Sequence, residues 1–121
     1  MKYFTLDEFD SPDYKGSGVN MDDNFLELLN NAREIAGIPF KITSGYRTAD
    51  HNQRVGGVSN SSHIHGLAAD IAVGSGKERY IILNALIRSG FKRLGIAKTF
   101  IHCDTDSLDQ GGVKPNSVWT Y

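Results

Sequence analysis

The sequence predicts a single domain of the α+β class. Two segments place apolar residues at helical spacing, and four short segments have the alternation or the residue content of strands. Local connections between short strands favour α+β over a doubly wound parallel sheet. A chain of 121 residues is long enough for one modest hydrophobic core, so residues 1–121 are assigned to one domain.

Composition excludes several classes of function. Hydrophobic residues make up 40% of the chain and charged residues 22%, as is typical of a globular domain. A net charge of -1 gives no electrostatic basis for binding nucleic acid or an anionic membrane. No apolar run approaches the ~20 residues that span a bilayer, so we expect no membrane insertion, and we expect a monomer. Residues 1–8 lack the apolar core of a signal peptide, so export would need phage-type release or a signal already trimmed.

The N-terminal third predicts an arm followed by a helix. We expect residues 1–19 to form an irregular arm. Three apolar side chains are available to anchor it: Phe4, Leu6 and Phe9. The run Asn20-Met21-Asp22-Asp23 then supplies capping oxygens for a helix that Gly37 ends.

The middle of the chain predicts short elements around a flexible loop. Residues 39–44 fit a strand, and residues 48–54 fit a short helix capped by Thr48. From Gly66 the pattern changes to period two, which predicts a strand with one apolar face. Its other face carries small residues around Asp70, which leaves room for a metal and a ligand.

The C-terminal half predicts a helix, two strands and a tail. A capping box at residues 75–78 opens the helix, and Gly90 follows its end. Residues 91–96 and 98–104 then predict two tightly joined strands. We expect the tail, residues 105–121, to be irregular.

Three residues of the kind that bind metals can converge: His63, Asp70 and His102. His63 and Asp70 are seven positions apart on partly looped chain, so both side chains can meet at one point. In the strand over 98–104, His102 shares a face with Asp104, whereas Cys103 alternates towards the core. Two imidazoles and a carboxylate that leave a fourth position for water are suitable ligands for hydrolytic zinc. The spacing alone is also compatible with a hydrogen-bonded histidine and aspartate near a turn.

Several motifs together resemble one peptidase family. The central motif is Ser61-x-His63-x-x-Gly66-x-Ala68-x-Asp70. Others flank it in the chain: Phe4-Thr5-Leu6-Asp7-Glu8-Phe9, Thr43-Ser44-Gly45-Tyr46-Arg47-Thr48, Asn52-Gln53-Arg54-Val55-Gly56-Gly57 and Phe100-Ile101-His102-Cys103-Asp104. In this order they resemble the M15 family of zinc peptidases, which comprises D-alanyl-D-alanine carboxypeptidases and endopeptidases acting on peptidoglycan. The likeness runs from residue 4 to about residue 104.

The resemblance implies a fold, a cofactor and a substrate. It implies an antiparallel sheet with helices beside it and one zinc ion (Zn2+) held by His63, Asp70 and His102. A zinc-activated water would hydrolyse peptide bonds in peptidoglycan stem peptides or cross-links, as in a DD-carboxypeptidase or an endopeptidase. Such a metallopeptidase acts on the bacterial cell wall, in the periplasm or outside the cell. Arg47 matches an arginine that binds a substrate carboxylate or stabilises the oxyanion; the alternative is a surface arginine paired with Asp50.

The general base is less well defined by the motifs. Asp104 is the best candidate, although it could instead orient a metal ligand or be merely solvated. Thr99 stands where some relatives have a glutamate that acts as the base, three residues before the last histidine. Other relatives have a second histidine in that strand, which this chain lacks.

Four further residues are assigned by position. We expect Ser61 to hydrogen-bond the loop backbone and to contact substrate. We expect His65 to line the cleft as a substrate-binding residue rather than a metal ligand. Trp119 and Tyr121 close over either the core or the cleft.

Two rival functions remain open. The same fold could hold zinc structurally and bind peptidoglycan without cutting it, which the absence of a glutamate at position 99 favours. A hydrolase dependent on serine or cysteine would use Ser61 or Cys103. However, the Ser61 hydroxyl has no evident base, and Cys103 is expected in the core.

Overall fold

The protein is built on a five-stranded sheet, and the computed structural model describes all residues from 1 to 121. The strands are β1 (Ile42–Ser44), β2 (Ala68–Ala72), β3 (Arg93–Ile96), β4 (Phe100–Asp104) and β5 (Ser117–Thr120). They lie in the order β1-β2-β4-β3-β5. Neighbouring strands run antiparallel, except that β3 and β5 are parallel. This architecture confirms the α+β class, and each predicted strand forms, beginning two or three residues later than predicted.

Two long helices pack against each other beside the sheet: α1 (Asp23–Ala36) and α3 (Gly76–Ser89). The Asp22 carboxylate caps the first turn of α1 and the Ser75 hydroxyl caps that of α3, as predicted. The Glu78 carboxylate accepts a hydrogen bond from the backbone of Gly74, so the capping box is only half formed. A shorter helix, α2 (Ala49–Arg54), begins after Thr48 as predicted. No helix in the chain combines the length and the apolar character that crossing a membrane requires.

The hydrophobic core lies between the two long helices and one face of the sheet. Ile71, Ile101 and Cys103 are fully buried on this face, in one cluster with Phe25 and Leu86 from the helices. Full burial of a large aliphatic side chain contributes roughly 1.5–3 kcal/mol, so the apolar alternation of β2 and β4 fixes which face each strand turns inward. The polar residues of both strands are thereby placed on the opposite face.

The strand register aligns five residues in one row across this polar face, which we call the transverse row. From β1 to β5 it consists of Ser44, Asp70, His102, Gly95 and Trp119. Directly paired residues of a sheet point to the same side. The pairing of strands, and not proximity along the chain, therefore brings these side chains together.

The tail differs from the prediction. An irregular tail over 105–121 is wrong, because Ser117–Thr120 form β5 and Leu108–Gln110 form a 3-10 turn. β5 pairs with β3 through backbone groups that an edge strand leaves free. Val118 is exposed, so the strand needs no apolar alternation and gives no periodic signal.

The N-terminal arm is more ordered than predicted. Residues 1–19 contain the 3-10 turn Leu6–Phe9 and most of a second, Ser17–Asn20. Phe4 and Phe9 are buried and anchor the arm, whereas Leu6 is 40% exposed. The prediction that Leu6 also anchors it is wrong, because the turn places Leu6 on its outer side.

Candidate metal centre

Three side chains converge on the polar face of the sheet: His63, Asp70 and His102. Asp70 and His102 are paired across β2 and β4, and His63 belongs to the 3-10 turn Ser62–His65 that leads into β2. Oδ1 of Asp70 lies 3.0 Å from Nδ1 of His102 and 3.4 Å from Nε2 of His63. One potential ligand atom from each residue lies within 4.8 Å of the other two, and all three residues are buried. The spacing argument thus selected three residues that the fold brings together.

A turn that requires glycine positions His63. Gly66 has a φ of 70°, in the left-handed region, and a Cβ there would lie 2.2 Å from the backbone oxygen of Asn20. Another residue would strain the turn and push it away from the start of α1. The backbone oxygen of His63 also accepts a hydrogen bond of 3.1 Å from the backbone nitrogen of Arg47. The motif around His63 is therefore held from two sides.

Hydrogen bonds fix the orientation of both imidazoles. Nδ1 of His63 lies 2.7 Å from the backbone oxygen of Gly45. A carbonyl oxygen only accepts, so Nδ1 carries a proton and Nε2 is the nitrogen that faces Asp70. Nε2 of His102 lies 2.7 Å from Oδ2 of Asp104, which leaves Nδ1 facing Asp70 in the same way. Such outer hydrogen bonds are the usual means by which a histidine is oriented towards zinc.

This donor set fits a zinc ion. Two imidazole nitrogens and one carboxylate oxygen are ligands that zinc prefers, and three protein ligands leave a position open for catalysis. The residues border a cavity of about 350 Å³, which lies at the small end of the range for ligand pockets. The residues present are thus suitable both to hold the ion and to admit a small part of a substrate.

The ionisation states of these groups depend on one another. Burial raises the pKa of Asp70, but hydrogen bonds to His102 and His63 outweigh it and hold the pKa below its ordinary value. Burial lowers the pKa of His102, but hydrogen bonds to Asp104 and Asp70 outweigh it and raise the pKa above its ordinary value. A metal ion that binds here must therefore displace a proton from His102.

Asp104 is held by several donors from the protein. Besides His102 on Oδ2, its Oδ1 accepts hydrogen bonds from Nε of Arg93 at 2.9 Å and from the backbone nitrogen of Asp106 at 3.1 Å. The residue is only 1% exposed. This geometry favours orientation of His102 over the expected role as a general base, and it excludes a merely solvated side chain. Asp70 is the only other carboxylate that lines the cavity.

Arg47 lies in the cavity beside Asp70. Its Nη2 is 3.8 Å from Oδ2 of Asp70, while Nε and Nη1 donate to Ser44 and Asn52. It forms no ion pair with Asp50, so the surface alternative is wrong. The guanidinium is fixed by neutral partners and keeps donors available to a ligand.

The other two expected substrate-binding residues behave differently. Ser61 lines the cavity and its hydroxyl accepts a hydrogen bond from the backbone nitrogen of His63. His65 is exposed and lines a separate groove with Asn60 and Val113. The prediction that His65 lines the cleft is wrong, because residues two apart in a 3-10 turn point in different directions.

Residues of the tail and of β3 complete the cavity: Arg93, Lys114, Trp119 and Tyr121. The sequence reasoning did not identify two of them, Arg93 and Lys114. Of the two alternatives for Trp119 and Tyr121, the structure shows the cleft. A Cβ on Gly95 would lie 2.5 Å from Nε1 of Trp119, so glycine allows the indole to lie across β3, with its ring centroid 5.4 Å from that of His102. The sequence signal that could have placed Trp119 in the cavity was Gly95, a glycine on the polar face of a predicted strand.

Comparison with known proteins bears on most of the chain. A family model described as Peptidase M15 matches residues 2–104. The match includes His63, Asp70, His102, Asp104 and Arg47, whereas residues 105–121 lie beyond it. A search among curated proteins found no match.

Proposed function

Because the chain belongs to the M15 peptidase family, we propose that it is a zinc-dependent peptidase that hydrolyses peptide bonds in peptidoglycan stem peptides or cross-links. The observation that carries the proposal is the convergence of His63, Asp70 and His102 at a buried point beside a cavity. These residues lie within the matched region, and one ion would satisfy them. The site of action would be the bacterial cell wall.

Each residue of the centre has a role in this proposal. When bound, zinc supplies Lewis acidity, which activates water and polarises the scissile carbonyl. Asp104 holds His102 in the tautomer that presents Nδ1, through the 2.7 Å contact to Nε2. Arg47 offers guanidinium donors to a substrate carboxylate or to the developing oxyanion. Because the three ligand residues are buried, few water molecules compete with the ion for their ligand atoms.

A second candidate is a peptidoglycan-binding module that holds zinc without cutting. It is favoured by Thr99 at the position of a glutamate base and by the engagement of both cavity carboxylates, Asp70 and Asp104, with protein donors. A hydrolase dependent on Cys103 is not supported, because the thiol is fully buried on the core face and burial raises its pKa well above the ordinary value.

Purified peptidoglycan distinguishes these functions. The wild type loaded with zinc should release peptides that mass spectrometry identifies, and chelation should stop the release until zinc is added back. His63→Ala should release none, whereas His65→Ala, which alters an exposed histidine outside the cavity, should retain activity. Co-sedimentation with peptidoglycan without released peptide would contradict the peptidase and favour the binding module. Release that survives chelation would contradict zinc dependence.

A further inference from the structure

We propose that Lys114 is a positioning residue of the metal centre, which fixes the turn that carries His63 against the end of β4. The inference rests on the proposed function and deepens it, because it identifies what keeps His63 in place relative to His102. Lys114 belongs to residues 105–121, beyond the family match. The tail of this chain thereby takes part in forming the metal centre without supplying a ligand to it.

The ammonium of Lys114 has no donor left for a substrate. Its Nζ lies 2.8 Å from the backbone oxygen of Asn60, 3.2 Å from Oγ of Ser62 and 3.3 Å from Oδ2 of Asp106. A lysine ammonium has three N–H donors, so these three acceptors occupy all of them. Lys114 lines the cavity, but its side chain is only 19% exposed. The contacts therefore favour a role in fixing the loop over a role in binding substrate.

Ser62, Asp106 and Lys114 form one buried group, which we call the tail junction. The Ser62 hydroxyl donates to Oδ2 of Asp106 at 2.8 Å, and the backbone nitrogen of Val113 donates to Oδ1 at 3.3 Å. Ser62 and Asp106 are each only 4% exposed. A buried carboxylate that loses its cation is left uncompensated, which is costly. The junction therefore keeps Ser62 and Lys114 in place around Asp106.

The tail junction connects the two segments that carry the histidines. Ser62 directly precedes His63 in the 3-10 turn. On the other side, the backbone nitrogen of Asp106 donates to Oδ1 of Asp104 at 3.1 Å, and Oδ2 of Asp104 lies 2.7 Å from Nε2 of His102. A short path of hydrogen bonds thus runs from one histidine segment to the other.

Strand pairing does not supply this connection. It aligns Asp70 with His102, whereas His63 lies before β2, so the position of His63 depends on contacts of the turn. A site whose ligands are already in place binds an ion without the cost of ordering them. The tail junction should therefore raise the affinity for zinc.

The backbone around Lys114 is fixed as well. The Lys114 nitrogen donates to the backbone oxygen of Asp106 at 2.8 Å, and the Leu108 nitrogen donates to the backbone oxygen of Lys114 at 3.0 Å. A Cβ on Gly112 would lie 2.1 Å from the backbone carbon of Asp106, so glycine allows the chain to return this closely. The tail is folded so that Lys114 reaches the turn.

Lys114→Met keeps the aliphatic stem and removes the ammonium. We expect zinc affinity, measured by competition with a chromophoric chelator, to fall about three- to tenfold, less than the roughly 10- to 100-fold typical of groups that contact a metal ligand directly. Lys92→Met is the matched control and should bind zinc as the wild type does, because Lys92 pairs with Asp109 at 3.2 Å but lies outside the cavity. Ser62→Ala keeps the ion pair of Lys114 with Asp106 and should show a similar loss, and the two losses should not add in the double variant.

Hydrogen exchange tests the inference in the metal-free protein. The backbone nitrogens of Ile64 and Leu67 donate to the backbone oxygens of Ser61 and Ser62. In Lys114→Met these two amides should exchange about three- to tenfold faster, because the turn opens more often. The amides of buried core residues such as Ile71 should accelerate by a smaller factor.

Unchanged zinc affinity in Lys114→Met, or equal acceleration of exchange in the turn and in the core, would overturn the inference. A raised KM with unchanged zinc affinity would also overturn it and would assign Lys114 to substrate binding. Failure of the wild type to cleave peptidoglycan would count against the peptidase alone, since neither measurement needs cleavage. A wild type that binds no zinc would count against the proposed function, and hydrogen exchange would still decide whether Lys114 fixes the turn.

Discussion

Replacing Asp104 with asparagine separates orientation of His102 from general-base catalysis. Asparagine keeps the shape but has one acceptor oxygen instead of two. If that oxygen faces Arg93 and the backbone of Asp106, the amide group meets Nε2–H of His102, and two donors oppose each other. If the amide is reversed, the donor conflict moves to Arg93. In the first arrangement the conflict between the two donors ends only if the proton of His102 moves from Nε2 to Nδ1, the nitrogen that would bind the metal.

The expected loss is one of zinc affinity. Changes to groups that orient a metal ligand typically weaken binding about 10- to 100-fold, which corresponds to about 1.4–2.7 kcal/mol. Competition with a chromophoric chelator measures this loss, and nitrogen NMR of the imidazole reads the tautomer of His102. Asp109→Asn is the matched control, because Asp109 is an exposed aspartate that also binds a cation and an amide, Lys92 and Asn116. Unchanged zinc affinity together with lost peptide release would refute the reasoning and identify Asp104 as the base.

Three other predictions follow from the same geometry. His63→Ala should remove most of the bound zinc as measured by elemental analysis, since a two-ligand site remains; retention of stoichiometric zinc would contradict this. Gly95→Ala places a Cβ 2.5 Å from Nε1 of Trp119 and should lower the free energy of unfolding by about 1–3 kcal/mol, whereas Gly76→Ala, with no atom within 4 Å, should not. In the presence of chelator, the free energy of unfolding should fall as pH rises above about 6.5, the unfolded-state pKa of His102. The pKa of His102 is raised in the folded protein, which stabilises the protonated native state, and this stabilisation is lost as pH rises through the folded pKa. With excess zinc, denaturant curves should show the opposite slope, because zinc displaces that proton.

The local pattern predicts which residues meet at the centre of the site, whereas the choice of a metal over a hydrogen-bonded pair depended on the family resemblance. Apolar alternation in β2 and β4 determines which face is buried, so Asp70 and His102 had to share the other face. Glycine at position 66 and the capping residues Asp22 and Ser75 also act through near neighbours. Interactions of this range can be read from one sequence, since the residues that cause them lie a few positions apart.

The remainder depends on contacts between distant segments. The hydrogen bonding of Asp104 depends on Arg93 from the next strand, and Trp119 reaches the cavity because β5 pairs with β3. The pairing of β5 leaves no periodic signal in the tail, and the alternation that predicts β3 and β4 does not show that Arg93 binds Asp104. The prediction for His65 was wrong for a different reason: the sequence did not reveal the 3-10 turn Ser62–His65, which points His65 away from His63.

Titration of the metal-free protein with cobalt(II) or zinc is the most direct measurement of the central claim. The account predicts one ion per chain, with the cobalt absorption of a low-coordinate site that has two nitrogen ligands and one oxygen ligand. His102→Ala should abolish this absorption, while His51→Ala, which changes a histidine of α2, should leave it intact. The claim would be contradicted if the protein takes up no ion, or if a variant that lacks both His63 and His102 binds the ion as the wild type does.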